Sequence, residues 1–251
     1  WGNILAQNSR QAIQESIDKQ SLDPNKVAEQ LAIARQYNQN IAYNKLGVGN
    51  YVKAPDYKKT LDLQPAMATL EIPAIKIKSI PVFHGTSEGV LAHNLGHFRP
   101  TSLPIGGVNN RVVISGHTGL ANQLLFSDVK YLRLGDKFYV HILGKTLAYK
   151  IVSRKVVKPE DSHSIDPVAG KDLVTLLTCT PTGLNTHRLL VTGERVPYHK
   201  NDEKVKVPVR NWFNLQHILG IVLVVVALWL LLGLIRRKRR KKRNEETNRT
   251  V

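Results

Sequence analysis

The chain has 251 residues, enough for one domain with an appendage, and a formal net charge of +17. Its single cysteine excludes an intrachain disulfide and any cysteine metal cluster. Residues 236–251 carry +7 of the charge and the rest +10; with no zinc-finger spacing, Gly-rich phosphate loop or aromatic-interleaved basic strand beside it, this balance speaks against nucleic acid and for an anionic membrane or cell wall.

The pattern is helical from residue 8 to about residue 40. Asp23 is a credible N-cap, with Pro24 at the first helical position. Val27, Leu31 and Ala34 then form a narrow apolar stripe at helical spacing, which predicts a scaffold that packs on the domain. Residues 47–64 hold Gly, Asn and Pro without a period and read as an exposed loop. Within it lies Ala54-Pro55-Asp56-Tyr57, whose plain reading is a solvated turn.

Strand-like segments follow at 68–72, 75–83, 111–115, 137–142, 147–157, 173–178 and 188–194, with a short helix at 122–131. So many short strands punctuated by Gly, Pro and Asn favour a closed or sandwiched β-fold over an α/β sheet. The third segment, Arg111-Val-Val-Ile-Ser-Gly-His117, delivers a histidine just past a strand end. The sixth, Val174-Thr-Leu-Leu-Thr-Cys179, ends in the only thiol, and Arg188 opens the next apolar run after a Pro-Thr-Gly-Leu-Asn turn.

A free thiol is only a few per cent ionised at neutral pH, so a nucleophilic cysteine needs a base or a neighbouring cation. His117 is the candidate base, and Arg188 is a cation that never deprotonates. Taken without those two, Cys179 reads as a small buried hydrophobe. His84, His93, His97, His141, His163 and His187 read as surface or turn histidines. His84-Gly85-Thr86 superficially resembles an L,D-transpeptidase feature, but Cys179 lacks the Ser-His-Gly-Cys context of that family.

After Arg195 a polar, charged linker runs over 197–214. Residues 215–235 then carry no formal charge, a length that predicts a transmembrane helix, with Trp212 at its outer interface. Eight consecutive cations, Arg236 to Arg243, open a basic tail over 236–251 and mark the cytoplasmic side. This orientation predicts a catalytic domain outside the cell, tethered by its C-terminus.

The Ser-Gly-His117, Thr-Leu-Leu-Thr-Cys179 and Asn185-Thr-His-Arg188-Leu-Leu-Val-Thr-Gly-Glu-Arg195 segments resemble those of sortases, the cysteine transpeptidases of Gram-positive cell surfaces. More narrowly they resemble the class C, pilin-polymerising branch, over residues 68 to 195. The resemblance implies an eight-stranded β-barrel at 68–196, after an N-terminal helical segment with a lid at 1–67, and a substrate groove walled by 158–170. It further implies that Cys179 attacks a Thr–Gly bond in an LPXTG-like sorting signal, that His117 handles the protons, and that Arg188 holds substrate and oxyanion.

In that branch an Asp-Pro-aromatic lid covers the site, its Asp on the catalytic Arg and its ring over the Cys. Here the order is Pro-Asp-aromatic, and Asp56 and Tyr57 are the candidate lid residues. The partners implied are LPXTG-type surface proteins or pilin subunits and the membrane; no cofactor, metal or nucleic acid is implied. Because the chain starts at Trp1, the resemblance also predicts an N-terminal signal or anchor ahead of it. Two alternatives remain open: a housekeeping sortase acting on peptidoglycan, and a non-catalytic envelope-binding module that uses the basic face.

Overall fold

The computed structural model describes residues 11–13, 15–17, 22–119, 126–200 and 215–247, with the side chains of the last segment described over 220–236. Two compact units, Trp1–Arg210 and Asn211–Val251, divide the chain.

In the first unit, helix α1 (Pro24–Leu46) starts where the sequence predicts. The Asp23 carboxylate accepts from the Asn25 backbone N–H at 2.9 Å, and Pro24 occupies the first turn, where its missing donor costs nothing. The helix runs to Leu46, six residues beyond the expected end near residue 40, and is capped by Gly47, whose φ of 65° suits the left-handed cap. Leu31 and Ala34 of the predicted stripe are buried and Val27 packs beside them, joined by Tyr37 and Ile41. Asn38 fixes the helix by a reciprocal pair: its Nδ2 donates to the Leu103 carbonyl at 3.0 Å, and its Oδ1 accepts from the Leu103 N–H at 2.6 Å. The helix is therefore a scaffold seated on the barrel.

Eight strands follow: β1 (Ala68–Ile72), β2 (Ile77–His84), β3 (Leu95–His97), β4 (Asn110–Ser115), β5 (Lys137–Ile142), β6 (Lys145–Val157), β7 (Asp172–Thr180) and β8 (His187–Val196). They close into a barrel in the order β1-β2-β3-β4-β7-β8-β6-β5. The pairs β2–β3 and β4–β7 are parallel and the others antiparallel. Each of the seven sequence-predicted strands is present within a few residues. Strand β3 was missed, since three residues are too few to show a period. It is preceded by a one-turn helix, α2 (Glu88–Leu91). In the expected helix at 122–131, a 3-10 turn occupies Ser127–Tyr131, and 122–125 lie outside the described residues.

Alternation along the strands decides which residues face the core. Val112 and Ile114 of β4, Val174 and Leu176 of β7, and Leu189 and Val191 of β8 belong to the continuous buried cluster inside the barrel. Their neighbours Leu173, Thr175, Leu177 and Cys179, with Arg188, Leu190, Thr192 and Glu194, therefore share the outer face.

In the second unit, Leu215–Thr247 is one helix, α3. Among the described residues no helix is long and apolar enough to cross a membrane. The uncharged part with described side chains, 220–235, rises only about 24 Å against a hydrocarbon core of about 30 Å. The transmembrane helix expected over 215–235 is thus not shown. Most of the linker, Trp212 and the side chains of 237–251 lie outside the described residues.

Candidate active site

The register brings the three sequence-predicted residues together. Cys179 on β7 lies directly opposite Arg188 on β8 in the antiparallel ladder. On the other side of β7, β4 runs parallel with Ser115 beside Leu177. Two residues further on, His117 comes level with Cys179. The extension is laced to β7 beyond the last ladder pair: Gly116 N–H donates to the Leu177 carbonyl at 3.1 Å, Thr178 Oγ1 to the Gly116 carbonyl at 2.8 Å, and Thr118 Oγ1 to the Cys179 carbonyl at 3.0 Å. These bonds fix the backbone on both sides of His117 against the backbone of the thiol residue.

Gly116 is required there by space. A Cβ at this position would meet Leu95 Cδ2 at 2.7 Å and the Phe126 ring at 2.9 Å. Sequence reading takes Gly116 as the end of a strand; its close packing appears only in three dimensions.

Cys179 is a free, half-buried thiol. It forms no hydrogen bond with His117 or Arg188 among the described residues. The Nε2 of His117 is buried without a hydrogen-bond partner, and the Glu88 carboxylate lies 3.6 Å from it, beyond hydrogen-bond reach. Glu88 is a carboxylate near the base that sequence reading did not single out. Its side chain is 85% exposed, so the pair is well screened and contributes little.

Arg188 is held by its own turn. Gly183 (φ 88°) and Asn185 (φ 57°) take left-handed conformations, and the Leu184 and Asn185 N–H groups both donate to the Pro181 carbonyl. The turn directs two carbonyls at the guanidinium, and Nη1 donates to Asn185 O at 3.0 Å and His187 O at 3.1 Å. No other hydrogen bond of the guanidinium is formed among the described residues, which leaves Nε and Nη2 available to an acceptor beside the thiol. A nucleophile, a base and a fixed planar cation on adjoining strand ends suit attack on an acyl group and stabilisation of the resulting oxyanion.

The two candidate lid residues are placed elsewhere. Asp56 caps a 3-10 turn (Tyr57–Lys59), its carboxylate accepting from the Lys58 N–H at 3.1 Å, and it forms no ion pair with Arg188. Tyr57 is buried at 5% exposure, between Tyr37 of α1, the rings of His84 and His97, and Arg99, whose Cζ lies 4.4 Å from its ring centroid. Among the described residues the ring contacts of Tyr57 are thus with α1, β2, β3 and Arg99, and Asp56 forms no ion pair. Burial of an aromatic ring and the local cap together draw this segment inward. Burial also pushes the Tyr57 hydroxyl pKa up to about 12.

The segment 158–170, expected to wall the substrate groove, is the β6–β7 connection, with a 3-10 turn at His163–Ile165. Three contacts tie it down. Arg111 Nη1 donates to Ser164 O at 2.7 Å, Lys45 of α1 pairs with Asp166 at 2.8 Å, and Gly170 N–H donates to Asn109 Oδ1 at 2.7 Å. Sequence reading used Arg111 only as the start of a strand.

Comparison with known proteins agrees with this geometry. A family model described as the Sortase domain matches residues 70–196. Sortase A of Streptococcus agalactiae is 30% identical over 175 residues, which cover 64% of this chain and 70% of that protein. Among solved structures, sortase C-1 of Actinomyces oris is 42% identical with a TM-score of 0.62, covering 70% of this chain and 100% of that one. Sortase C1 of group B Streptococcus pilus island 1 is 33% identical with a TM-score of 0.68, covering 77% of this chain and 100% of that one.

Proposed function

Because this chain belongs to the sortase family of cysteine transpeptidases, with class C enzymes as its structural neighbours, we propose that it joins pilin subunits through an LPXTG-like sorting signal. The Cys179 sulfur attacks the Thr carbonyl of the Thr–Gly bond. A C–S bond forms, the C–N bond breaks, and His117 gives a proton to the departing glycine amine. A lysine amine of the next subunit then attacks the thioester. The new amide C–N bond forms as the C–S bond breaks, and the amine's proton passes to His117. A lysine side chain has a pKa of about 10.4 in water, so His117 is the group placed to relieve it of that proton. Arg188 holds the carbonyl oxygen as charge develops on it.

The observation that carries this reading is the register of Cys179, with Arg188 opposite it and the extension bearing His117 alongside. The experiment is a reaction of the purified protein with an LPXTG-type peptide and two competing acceptors, a folded pilin domain and a peptidoglycan-type amine, read by mass spectrometry. An isopeptide to a pilin lysine is the expected product. Exclusive transfer to the wall amine would give the housekeeping function instead, and binding without turnover would leave an envelope-binding module.

The setting of this activity is a membrane surface. That part of the reading rests on sequence: residues 215–235 are uncharged and are followed by eight cations. Fractionation of the host expressing this chain with and without residues 215–251 tests it, and release of the protein only on truncation is the expected result.

A further inference from the structure

The face that carries Cys179 and Arg188 continues along the sheet to a second site. Directly opposite residues on paired strands point to the same side, so the rows Leu177–Leu190, Thr175–Thr192 and Leu173–Glu194 extend the Cys179–Arg188 row down one outer surface. Arg111 lies beside Leu173 on β4, and Lys155 lies opposite Leu190 on β6. Under the β6–β7 connection these rows border a cavity of about 380 Å³, whose lining includes Arg111, Lys155, Leu173, Thr192 and Glu194.

The charges here are unequally engaged. Of the two carboxylates, Glu194 accepts from Lys171 Nζ at 2.6 Å, and Asp166 is held by Lys45 at 2.8 Å and by His163 at 3.1 Å. Asp166 also attracts Arg111 at longer range. On the cationic side, Arg111 spends Nη1 on the Ser164 carbonyl, but its Nε is buried with no hydrogen-bond partner. Lys155 is exposed and forms no ion pair among the described residues. A buried N–H without an acceptor is costly, and a guanidinium favours a carboxylate above other acceptors.

Strand geometry sets the two cations at different heights along the face: Lys155 stands on the Leu177–Leu190 row, two residues or about 7 Å from Cys179, and Arg111 on the Leu173 row. Thr175 and Leu173 lie four and six residues from Cys179, about 13 and 20 Å at 3.3 Å per residue. An extended substrate advances at the same rate. With its threonine at Cys179, the leucine of an LPXT segment lies three residues on, at about 10 Å, and the two residues before it at about 13 and 17 Å, between the Lys155 and Arg111 rows. The part of the substrate that stays covalently attached between the two half-reactions belongs in the roofed channel, because the incoming amine needs the open side.

We infer that Arg111 and Lys155 form a subsite for an acidic side chain one or two residues before the leucine of the sorting signal. The inference rests on the sorting-signal reading above and adds to it a selectivity among substrates that share the same pentapeptide. Arg111 reads the carboxylate at the end of the channel, and Lys155 supplies a second positive charge at its edge.

The test uses three peptides with one LPXTG-type core and Glu, Ala or Lys at each of the two positions before Leu, and compares kcat/KM for their cleavage. The wild-type protein is expected to favour the Glu peptide over the Lys peptide by about tenfold. Lys155→Glu, a surface change that leaves the roof contacts intact, is expected to reduce or reverse that preference, read as the ratio of kcat/KM for the Glu and Lys peptides within the variant. Arg111→Ala should abolish the preference, with melting temperature measured alongside because it also loses the Ser164 bond. Equal cleavage of all three peptides by wild type, or an unchanged preference in Lys155→Glu, would overturn the subsite alone. No cleavage of any peptide would overturn the sorting-signal reading itself.

Discussion

The Tyr57 hydroxyl lies 2.9 Å from Nδ1 of His97, inside the seam between helix α1 and the barrel. The surrounding bonds settle how the protons are arranged. His97 Nε2 faces the Ser102 carbonyl at 2.9 Å and can only donate to it, so in the neutral ring Nδ1 accepts from Tyr57 O–H. The same hydroxyl accepts from the Gly85 N–H at 2.9 Å. A segment that sequence reading assigned to a lid is thus stitched into the body of the domain, next to β3.

Tyr57→Phe removes the hydroxyl and leaves both His97 Nδ1 and the Gly85 N–H without a partner. The expected loss is about 1–3 kcal/mol of stability in chemical denaturation. The rate at which a small thiol reagent alkylates Cys179 should stay within about twofold of wild type in Tyr57→Phe and in Asp56→Ala, where only a turn cap is lost. A large rise in alkylation at unchanged stability in either variant would return the segment to the role of a lid.

His97 is fully buried, and desolvation lowers its pKa to about 4, from about 6.5 when exposed. Between these values the unfolded chain binds the proton and the folded chain does not, so stability falls as the pH drops from about 6.5 to about 4. The full effect is about 3 kcal/mol. Burial lowers the pKa of His84 as well, which adds loss in the same direction. Denaturation at a series of pH values checks this, and His97→Gln should flatten the slope across the window. An unchanged slope in that variant would show that other groups carry the acid sensitivity.

Gly116→Ala should lower activity more than stability. The added methyl must displace Leu95 or the Phe126 ring, an overpacking cost of about 1–3 kcal/mol. The displacement bears on the residue next to His117, and misplacement of a catalytic group by about 1 Å costs on the order of 100-fold. The measurement is kcat/KM beside melting temperature, and wild-type turnover with a lowered melting temperature would detach Gly116 from the placement of the base.

Arg188→Lys keeps the charge and loses the fork. The guanidinium can hold its turn through Nη1 while offering Nε and Nη2 to substrate, and an ammonium on a flexible stem cannot reproduce both. A fall in kcat of about 10²–10³ is expected, the usual effect of removing an oxyanion donor. Wild-type turnover in the lysine variant would reduce Arg188 to a general electrostatic influence.

What the sequence disclosed depended on how local the signal was. Asp23 and Pro24 mark the start of α1 because capping is settled within one turn. Cys179 and Arg188 were legible because they end and begin apolar runs joined by a tight turn, and pairing across such a turn follows from it. His117 was legible as a histidine just past a strand end, but the parallel pairing of β4 with β7 that brings it level with Cys179 joins segments some sixty residues apart and left no local signal. The burial of Tyr57 was not legible because it depends on His97, forty residues away, and on Tyr37 of a separate helix. Arg111 looked like an ordinary strand start until the β6–β7 connection folded back over it. Glu88 was not visible either, since a one-turn helix has too few residues to show a period.

The attack of Cys179 on the acyl group is tested most directly by intact-mass measurement of the protein mixed with an LPXTG-type peptide, quenched in acid before an acceptor is added. The wild type should gain the mass of the peptide up to and including its threonine. The adduct should map to Cys179 and be released by hydroxylamine as a thioester is, while Cys179→Ala should gain nothing and cleave nothing, and His117→Ala should acylate far more slowly. Continued cleavage at Thr–Gly by Cys179→Ala, or an adduct mapped to another residue, would contradict it.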